Sequence, residues 1–497
     1  MVELDPNTPI LVGVAAVQQK LERFEDALEP LALMELALRN AASDAMNSAD
    51  HGEALLHGVD EIMVPKGIWE YSDPARLLSK AIGAETATTV LAEIGVLQQS
   101  LMTRACQRIS SGEIQIAMVV GAEAKHRSLC AAKSGGTIVD TVQEQSEADL
   151  VLHPDSEMWS EVESATGLGM PVGFYAIIDS ALRYSQGLGV DEHRDQMAQM
   201  YARFSQIAAQ NPDAWVDQPI EPGFIRESSA KNRMLAFPYT KLHNSQWNVD
   251  QAAGLIFCSL GTALELGIPE QQWIFPRAST ESNFMSVVTA RKNLGGSTGF
   301  RVAGEAAMAM AGVSFDDIRL RELYSCFPSA VRVQLEEFGM QLEGDNTVTG
   351  AMTFGGGPLN NFVLQATVKM AQLLREHSQE VGLVTSVSGM LTKQACALWS
   401  GAPNPGGWQF ADVTEQVRSQ CVLCEIVPEY SGPGTVAGYT VLYQGDTPWR
   451  AVAVFDLAAN KRFVAYSEQP DIISRMLGSE CCGNRYNIHS GQFFPLS

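Results

Sequence analysis

The first four hundred residues alternate continuous apolar runs with stretches whose apolar residues recur at helical spacing. Pro9–Val17 is apolar throughout and predicts a strand buried on both faces of a sheet. Pro30–Ala45 follows with Leu31, Met34, Leu38, Ala41 and Ala45 on one stripe, and Pro30 suits the first turn of a helix. Asp60–Pro65 reads as a second strand, and Asp73-Pro74 opens a helix running to Gly83. Thr88–Leu91 (strand), Val96–Ser110 (helix, stopped by Gly112) and Ile114–Val120 (strand) continue the rhythm. Such alternation predicts a mostly parallel sheet covered on both faces.

From Lys125 to His243 the rhythm breaks into a more polar, aromatic segment with helices over Val172–Gln186 and His193–Ala209, expected to be an insertion over the top of the sheet. It resumes with the strand Val249–Leu260, a strand at Ile274-Phe275, helices over Phe284–Ala290 and Arg301–Ala311, and the strand Ile318–Leu323. The helix Asn361–His377 and strand Val381–Val387 complete a second βα set. After about Ala411 come short β-rich runs, Cys421–Pro428, Gly434–Tyr443, Trp449–Asp456 and Arg462–Ala465, which predict a small barrel or sandwich.

Composition narrows the function. The chain has 497 residues, 46% hydrophobic and 18% charged, enough to bury a large core. A net charge of -23 disfavours nucleic acid and anionic membrane surfaces as partners. The compact basic cluster Lys125, His126 and Arg127 could still meet one nucleotide phosphate, or be a solvated loop. Met1–Pro6 lacks an export pattern, and no apolar run reaches the ~20 residues of a membrane span. The nine cysteines, odd in number and set in apolar sequence, suit free thiols in a reducing compartment, so a cytoplasmic location is expected. Cys421-Val422-Leu423-Cys424 with Cys481-Cys482 raises zinc, but the second pair lacks the spacing and no metal is expected.

Candidate chemistry centres on Glu322–Ser329, where Tyr324, Ser325 and Cys326 leave a strand for a loop, the usual place for reactive groups in α/β enzymes. Gly355-Gly356-Gly357-Pro358 and Ser386-Val387-Ser388-Gly389 also interrupt apolar runs and could converge on the same pocket. The glycine run lacks the Lys and Ser/Thr of a phosphate loop and instead allows close backbone approach. Cys326 reads as a core thiol.

The order of these motifs resembles the thiolase superfamily over roughly residues 8–412. Phe237-Pro238-Tyr239-Thr240-Lys241, His243-Asn244-Ser245-Gln246 and Val249–Ala253 are similar to acetyl-CoA acetyltransferase-like proteins, more narrowly the sterol-carrier-type thiolase relatives of type 1 with an extra C-terminal domain. The resemblance implies duplicated βαβαβαββ halves stacked as an α-β-α-β-α core. The N-terminal half would span residues 1–272 with a loop domain at 125–245, the C-terminal half 273–412, and the added β-barrel-like domain 413–497.

It also implies coenzyme A or an acyl-CoA as ligand, with His243, Ser245, Gln246, Gly356 and Gly357 contacting it. His243 could equally be a solvated loop residue. The family's nucleophilic Cys would fall at Ile94-Gly95-Val96, where there is none. Its Gly-His-Pro loop falls on Gly356-Gly357-Pro358, without the His, and its Cys-x-Gly loop on Ser386-Val387-Ser388, without the Cys. Without its thiolates the usual Claisen mechanism is not expected, because an alkoxide at Ser386 is far less accessible than a thiolate. Three readings remain: an acyl-CoA-binding protein of acetyl-CoA acetyltransferase type, a retro-aldol lyase using Tyr324 and backbone donors of the Gly356 and Ser388 loops, or a silent acyl-CoA carrier or sensor, with Tyr324, Ser386 and Ser388 as the candidate catalytic residues. A homodimer and a monomer are both compatible with the extra domain.

Overall fold

A computed structural model describes residues 4–47, 52–144, 146–154 and 158–496. The N-terminal sheet is built from β1 (Pro9–Gln18), β2 (Glu61–Pro65), β3 (Thr88–Ala92), β4 (Ile116–Ala124) and β5 (Leu150–Leu152). A short ribbon in the insertion, β6 (Met234–Ala236) and β7 (Tyr239–Thr240), precedes β8 (Asp250–Ser259), which returns to this sheet in the order β1-β8-β4-β2-β3-β5. Every residue of β2, β4 and β8 is buried, which is why most of each strand reads as an apolar run, with Glu61, Glu123 and Asp250-Gln251 near the ends.

The second sheet repeats the first. It contains β9 (Phe275–Ser282), β10 (Leu320–Glu322), β11 (Val381–Ser388), β12 (Lys393–Ser400) and β13 (Gln409–Asp412), in the order β10-β11-β12-β9-β13. In the first sheet β2 lies parallel to β4, β4 antiparallel to β8 and β8 antiparallel to β1. The second has the same pattern in β10, β11, β12 and β9. Helices Gln98–Ser110 and Phe362–Glu376 each pack on strands of both sheets, while Pro30–Met46 covers the outer face of the first and Thr298–Ala311 that of the second. The result is the duplicated five-layer α-β-α-β-α core.

The C-terminal residues form β14 (Glu425–Ile426), β15 (Gly432–Gln444), β16 (Thr447–Asp456), β17 (Lys461–Ser467), β18 (Arg485–His489) and β19 (Gln492–Pro495). Pairing runs β15-β16-β17-β19-β18 and back to β15, a ring that closes over Val441, Phe455, Phe493, Tyr486 and Cys481. The ring is joined to the insertion, because β15 pairs with β6 at Leu442 and Ala236. Arg183 of helix Pro171–Ser185 reinforces this seam, with Nε donating to Glu480 at 2.8 Å and an Nη to the Tyr439 hydroxyl at 2.8 Å.

Several local expectations need correction. Phe284–Ala290 is not a helix but an irregular segment with one short turn at Val288–Ala290, since no capping residue starts it and Val287 and Val288 are adjacent β-branched residues. Cys421–Pro428 contains only the two-residue strand β14. Helix Val96–Ser110 begins at Gln98, because Gly95 sits at φ +109° in the turn before it. Lys125–Arg127 is the first turn of the helix Lys125–Ser134, not a solvated loop, and Arg127 is buried and ion-paired with Asp140. Among the described residues no helix is long and apolar enough to cross a membrane.

Candidate active site

The loops singled out in the sequence are tied to one another by backbone hydrogen bonds. Ser245 donates its amide to the Cys326 carbonyl at 3.1 Å, and Gln246 donates to the Met352 carbonyl at 2.9 Å. Gly357 in turn donates to the Gln246 carbonyl at 2.9 Å, and the Met352 amide donates to the Ser325 hydroxyl at 3.0 Å. Segments 245–246, 325–326 and 352–357 therefore form one interlocked surface. The Ser386 loop joins through its neighbour, as Thr385 Oγ1 accepts the Tyr324 amide at 2.7 Å and donates to Gln334 Oε1 at 2.6 Å.

Beneath this surface lies Glu322, fully buried, which accepts from the Val348 and Thr349 amides at 2.8 and 2.9 Å and from the Thr347 hydroxyl at 2.9 Å. Thr347 Oγ1 accepts from the Gly350 and Ala351 amides at 3.0 and 2.8 Å. This buried polar knot shapes the chain that leads into the glycine loop. Close packing there explains the glycines: a Cβ on Gly356, at φ +106°, would stand 2.0 Å from Gln251 Oε1, and one on Gly357 would press on Ser245 Cβ and the Met352 carbonyl at 3.2 Å.

Tyr324 is half-buried at the mouth of the loop, its ring edge-to-face with Phe362 at 6.3 Å. Burial holds its phenol well above the ordinary value, so it stays protonated and can donate a hydrogen bond but cannot serve as a resting base. Cys326 beside it is buried and its thiol is pushed up to about 12, again by desolvation. Ser386 is buried with its Oγ unpartnered among the described residues, and Ser388 is half-buried at the end of β11.

His243 differs from both sequence expectations. It is neither in solvent nor on the surface of the loops but 1% exposed, ringed by Tyr201 and Tyr239 with centroids 5.4 and 6.0 Å away. Its Nδ1 accepts from the Thr240 amide at 3.2 Å, so the proton of the neutral ring is on Nε2, and burial drives its pKa down to about 3.

The sequence reading missed Lys393. It heads β12, is 1% exposed, and donates its Nζ to the Gly95 carbonyl at 3.2 Å, in the loop where a thiolase would carry its nucleophile. Its charge also favours ionisation of the buried Glu281, whose carboxyl accepts from Ser100 Oγ at 2.6 Å while burial pushes its pKa up. A lone Lys after Leu391-Thr392 gives no periodic signal, and only the pairing of β12 with β11 points it at that loop. Of the cysteine pairs 421/424 and 481/482, Cys424 Sγ donates to Asn460 at 3.3 Å, Cys481 and Cys482 lie in the barrel core, and Cys421 is half-buried on the wall of a cavity. No His, Cys, Asp and Glu group suited to a metal occurs among the described residues.

The duplicated sheets, the central helix pair and the convergent loops define a thiolase fold. Residues 280–361 match the family described as thiolase C-terminal domain-like. The crystal structure of a monomeric SCP2-thiolase like protein type 1 from Mycobacterium smegmatis aligns with a TM-score of 0.82 at 24% identity, over 99% of this chain and 100% of that one. The Ltp2-ChsH2(DUF35) aldolase aligns at 0.58 and 18%, over 79% and 98%. Human mitochondrial 3-ketoacyl-CoA thiolase in complex with CoA aligns at 0.54 and 15%, over 80% and 99%.

Proposed function

We propose that this protein binds coenzyme A or an acyl-CoA at the interlocked 245–246, 324–327, 356–357 and 386–388 loops and does not perform cysteine-based thiolase chemistry. One observation carries this reading: the loops are assembled as a single site, yet their side chains are protonated and neutral. Cys326 is a buried thiol raised to about 12, Tyr324 is a protonated phenol, and Ser386 Oγ has no hydrogen-bond partner among the described residues. A thiolate needs the opposite environment, a helix N-terminus or a neighbouring cation that lowers the pKa. The turn Ile94-Gly95-Val96 before helix Gln98–Ser110 would supply that environment but carries no Cys.

Titration of the protein with CoA and acetyl-CoA by calorimetry is expected to give saturable one-to-one binding; no heat with either compound removes the reading. Thiolysis of acetoacetyl-CoA is expected to stay at background in the protein and in Cys326→Ala alike. Turnover that vanished in Cys326→Ala would restore a thiol mechanism.

A second reading, a retro-aldol lyase acting on a β-hydroxyacyl-CoA, is favoured by one feature, the donor hydroxyl of Tyr324 at the loop mouth with its amide locked by Thr385. The aldolase among the structural neighbours shares the fold. On that reading Tyr324→Phe lowers cleavage by about 10²-fold or more while CoA affinity is kept, and unchanged cleavage would dismiss Tyr324. As in the monomeric neighbour, a monomer in solution is the proposed state, checked by light scattering.

A further inference from the structure

A cavity of about 220 Å³ opens where the C-terminal half meets the chain leading into the barrel. Its lining includes Arg291, Lys292, Ser297, Thr298, Leu391 and Gln394, with Val422 at the lip. A liquid water takes ~30 Å³, so the space suits one small organic acid or inorganic anion.

Arg291 is the unusual residue. It is only 6% exposed, and one Nη holds the carbonyls of Met390 and, at 3.4 Å, Ser286. Its Nε and other Nη have no partner among the described residues. A guanidinium is always charged, and a buried one without an anion is costly. The acids nearby are committed elsewhere. Glu163 Oε1 accepts from the Thr289 amide and hydroxyl at 3.1 and 2.9 Å. Glu337, the carboxylate on the lining, accepts the Ser297 amide at 2.5 Å and faces Arg301 at 3.9 Å. Cys421 lies close enough for the guanidinium charge to act on its thiol, which burial nonetheless keeps raised.

A second, independent feature points the same way. Ser297, Thr298 and Gly299 on the lining are the cap and first residues of the fourteen-residue helix Thr298–Ala311. The first-turn amides of such a helix have no intrahelical acceptor and attract anions. The Ser297 hydroxyl takes the Phe300 amide at 3.3 Å. By helix geometry the amides of Thr298 and Gly299 are the ones left to a ligand.

We propose that this cavity is a binding site for a small oxyanion, the carboxylate of a short organic acid or inorganic phosphate, held by Arg291 and the N-terminus of helix Thr298–Ala311. The apolar part of a carboxylic acid would lie against Phe284, Leu391 and Val417. The wall of the site is shared with the C-terminal domain approach, because Lys292 donates its amide to Val422 and Cys424 donates to Ala290, at 3.0 and 2.7 Å. Occupancy also bears on the candidate active site, since Arg291 clamps Met390 in the turn directly after Ser388 and Gly389. The proposal does not depend on CoA binding.

The test is calorimetric titration of the full chain with inorganic phosphate and, separately, propanoate, in a buffer free of both. Saturable one-to-one binding of at least one is expected, and which one binds identifies the source of the oxyanion. Arg291→Gln is expected to weaken it by about tenfold or more. Because that substitution also releases the Met390 carbonyl, Val422→Glu provides a second arm. Val422 is 60% exposed, so the added lip charge should leave the melting temperature unchanged and weaken binding about tenfold. Absence of saturable binding of either probe up to about 10 mM, or unaltered affinity in Val422→Glu or in folded Arg291→Gln, overturns the site.

Discussion

Glu322→Ala is expected to destabilise the protein by about 3–5 kcal/mol, because three buried donors lose their acceptor and each costs about 1–3 kcal/mol when left unsatisfied. The carboxyl group receives two amides and a hydroxyl, all from buried residues. Glu322→Gln keeps an acceptor oxygen and should lose only about 1–2 kcal/mol. Urea denaturation compares the variants. The Ala variant should also lose CoA binding under conditions where it is still folded, because the Thr347–Ala351 turn positions the glycine loop. If both variants unfold like the parent, the buried knot is not what holds that turn.

Arg462→Ala is the second large effect. Arg462 belongs to β17 of the barrel and is 1% exposed. It donates to the carbonyls of Thr289 and Lys292 at 3.2 and 2.9 Å and to that of Arg291, while Nε holds Asp456 at 2.7 Å. Its loss leaves buried carbonyls without donors where the barrel grips the segment after β9. A cost of about 3–5 kcal/mol is expected, concentrated at this seam. Limited proteolysis should then cut first between residues 413 and 432 and release the barrel. Cleavage kinetics equal to those of the parent would show that the barrel's remaining contacts, the β15–β6 pairing and Arg183 among them, suffice without Arg462.

Much of this architecture was legible from hydrophobic patterning. Strands buried on both faces, such as β4 and β8, announce themselves as apolar runs, and the repeat of strand and helix revealed two similar halves. Strand β12 was not legible, because it begins with Lys393-Gln394, polar residues that become buried only once β11 and β9 flank them. Helix Pro328–Phe338 carried ordinary signals, Pro328 at its start and Gly339 after its end, but Arg332 and Gln334 disguise a helix that is buried nearly all round.

The site shows the same division. Loop positions such as Tyr324, Gly357 and Ser386 could be placed because glycines and prolines punctuate them. His243 could not, since its burial depends on aromatic rings from distant segments, Tyr201 among them. Lys393 and Arg291 were missed for the same reason: a single basic residue carries no periodicity, and only tertiary packing shows that its head group is inside.

The strand pairing between Leu442 and Ala236 has a consequence for how the molecule is made. Two segments separated by about two hundred residues must meet before the sheet is complete, and such long-range closure is slow. During synthesis the insertion emerges long before its partner, so the β6–β7 ribbon waits with an open hydrogen-bonding edge until β15 leaves the ribosome. Completion of this seam therefore waits on β15, and a truncation anywhere in β15 would leave a seam near the middle of the sequence exposed.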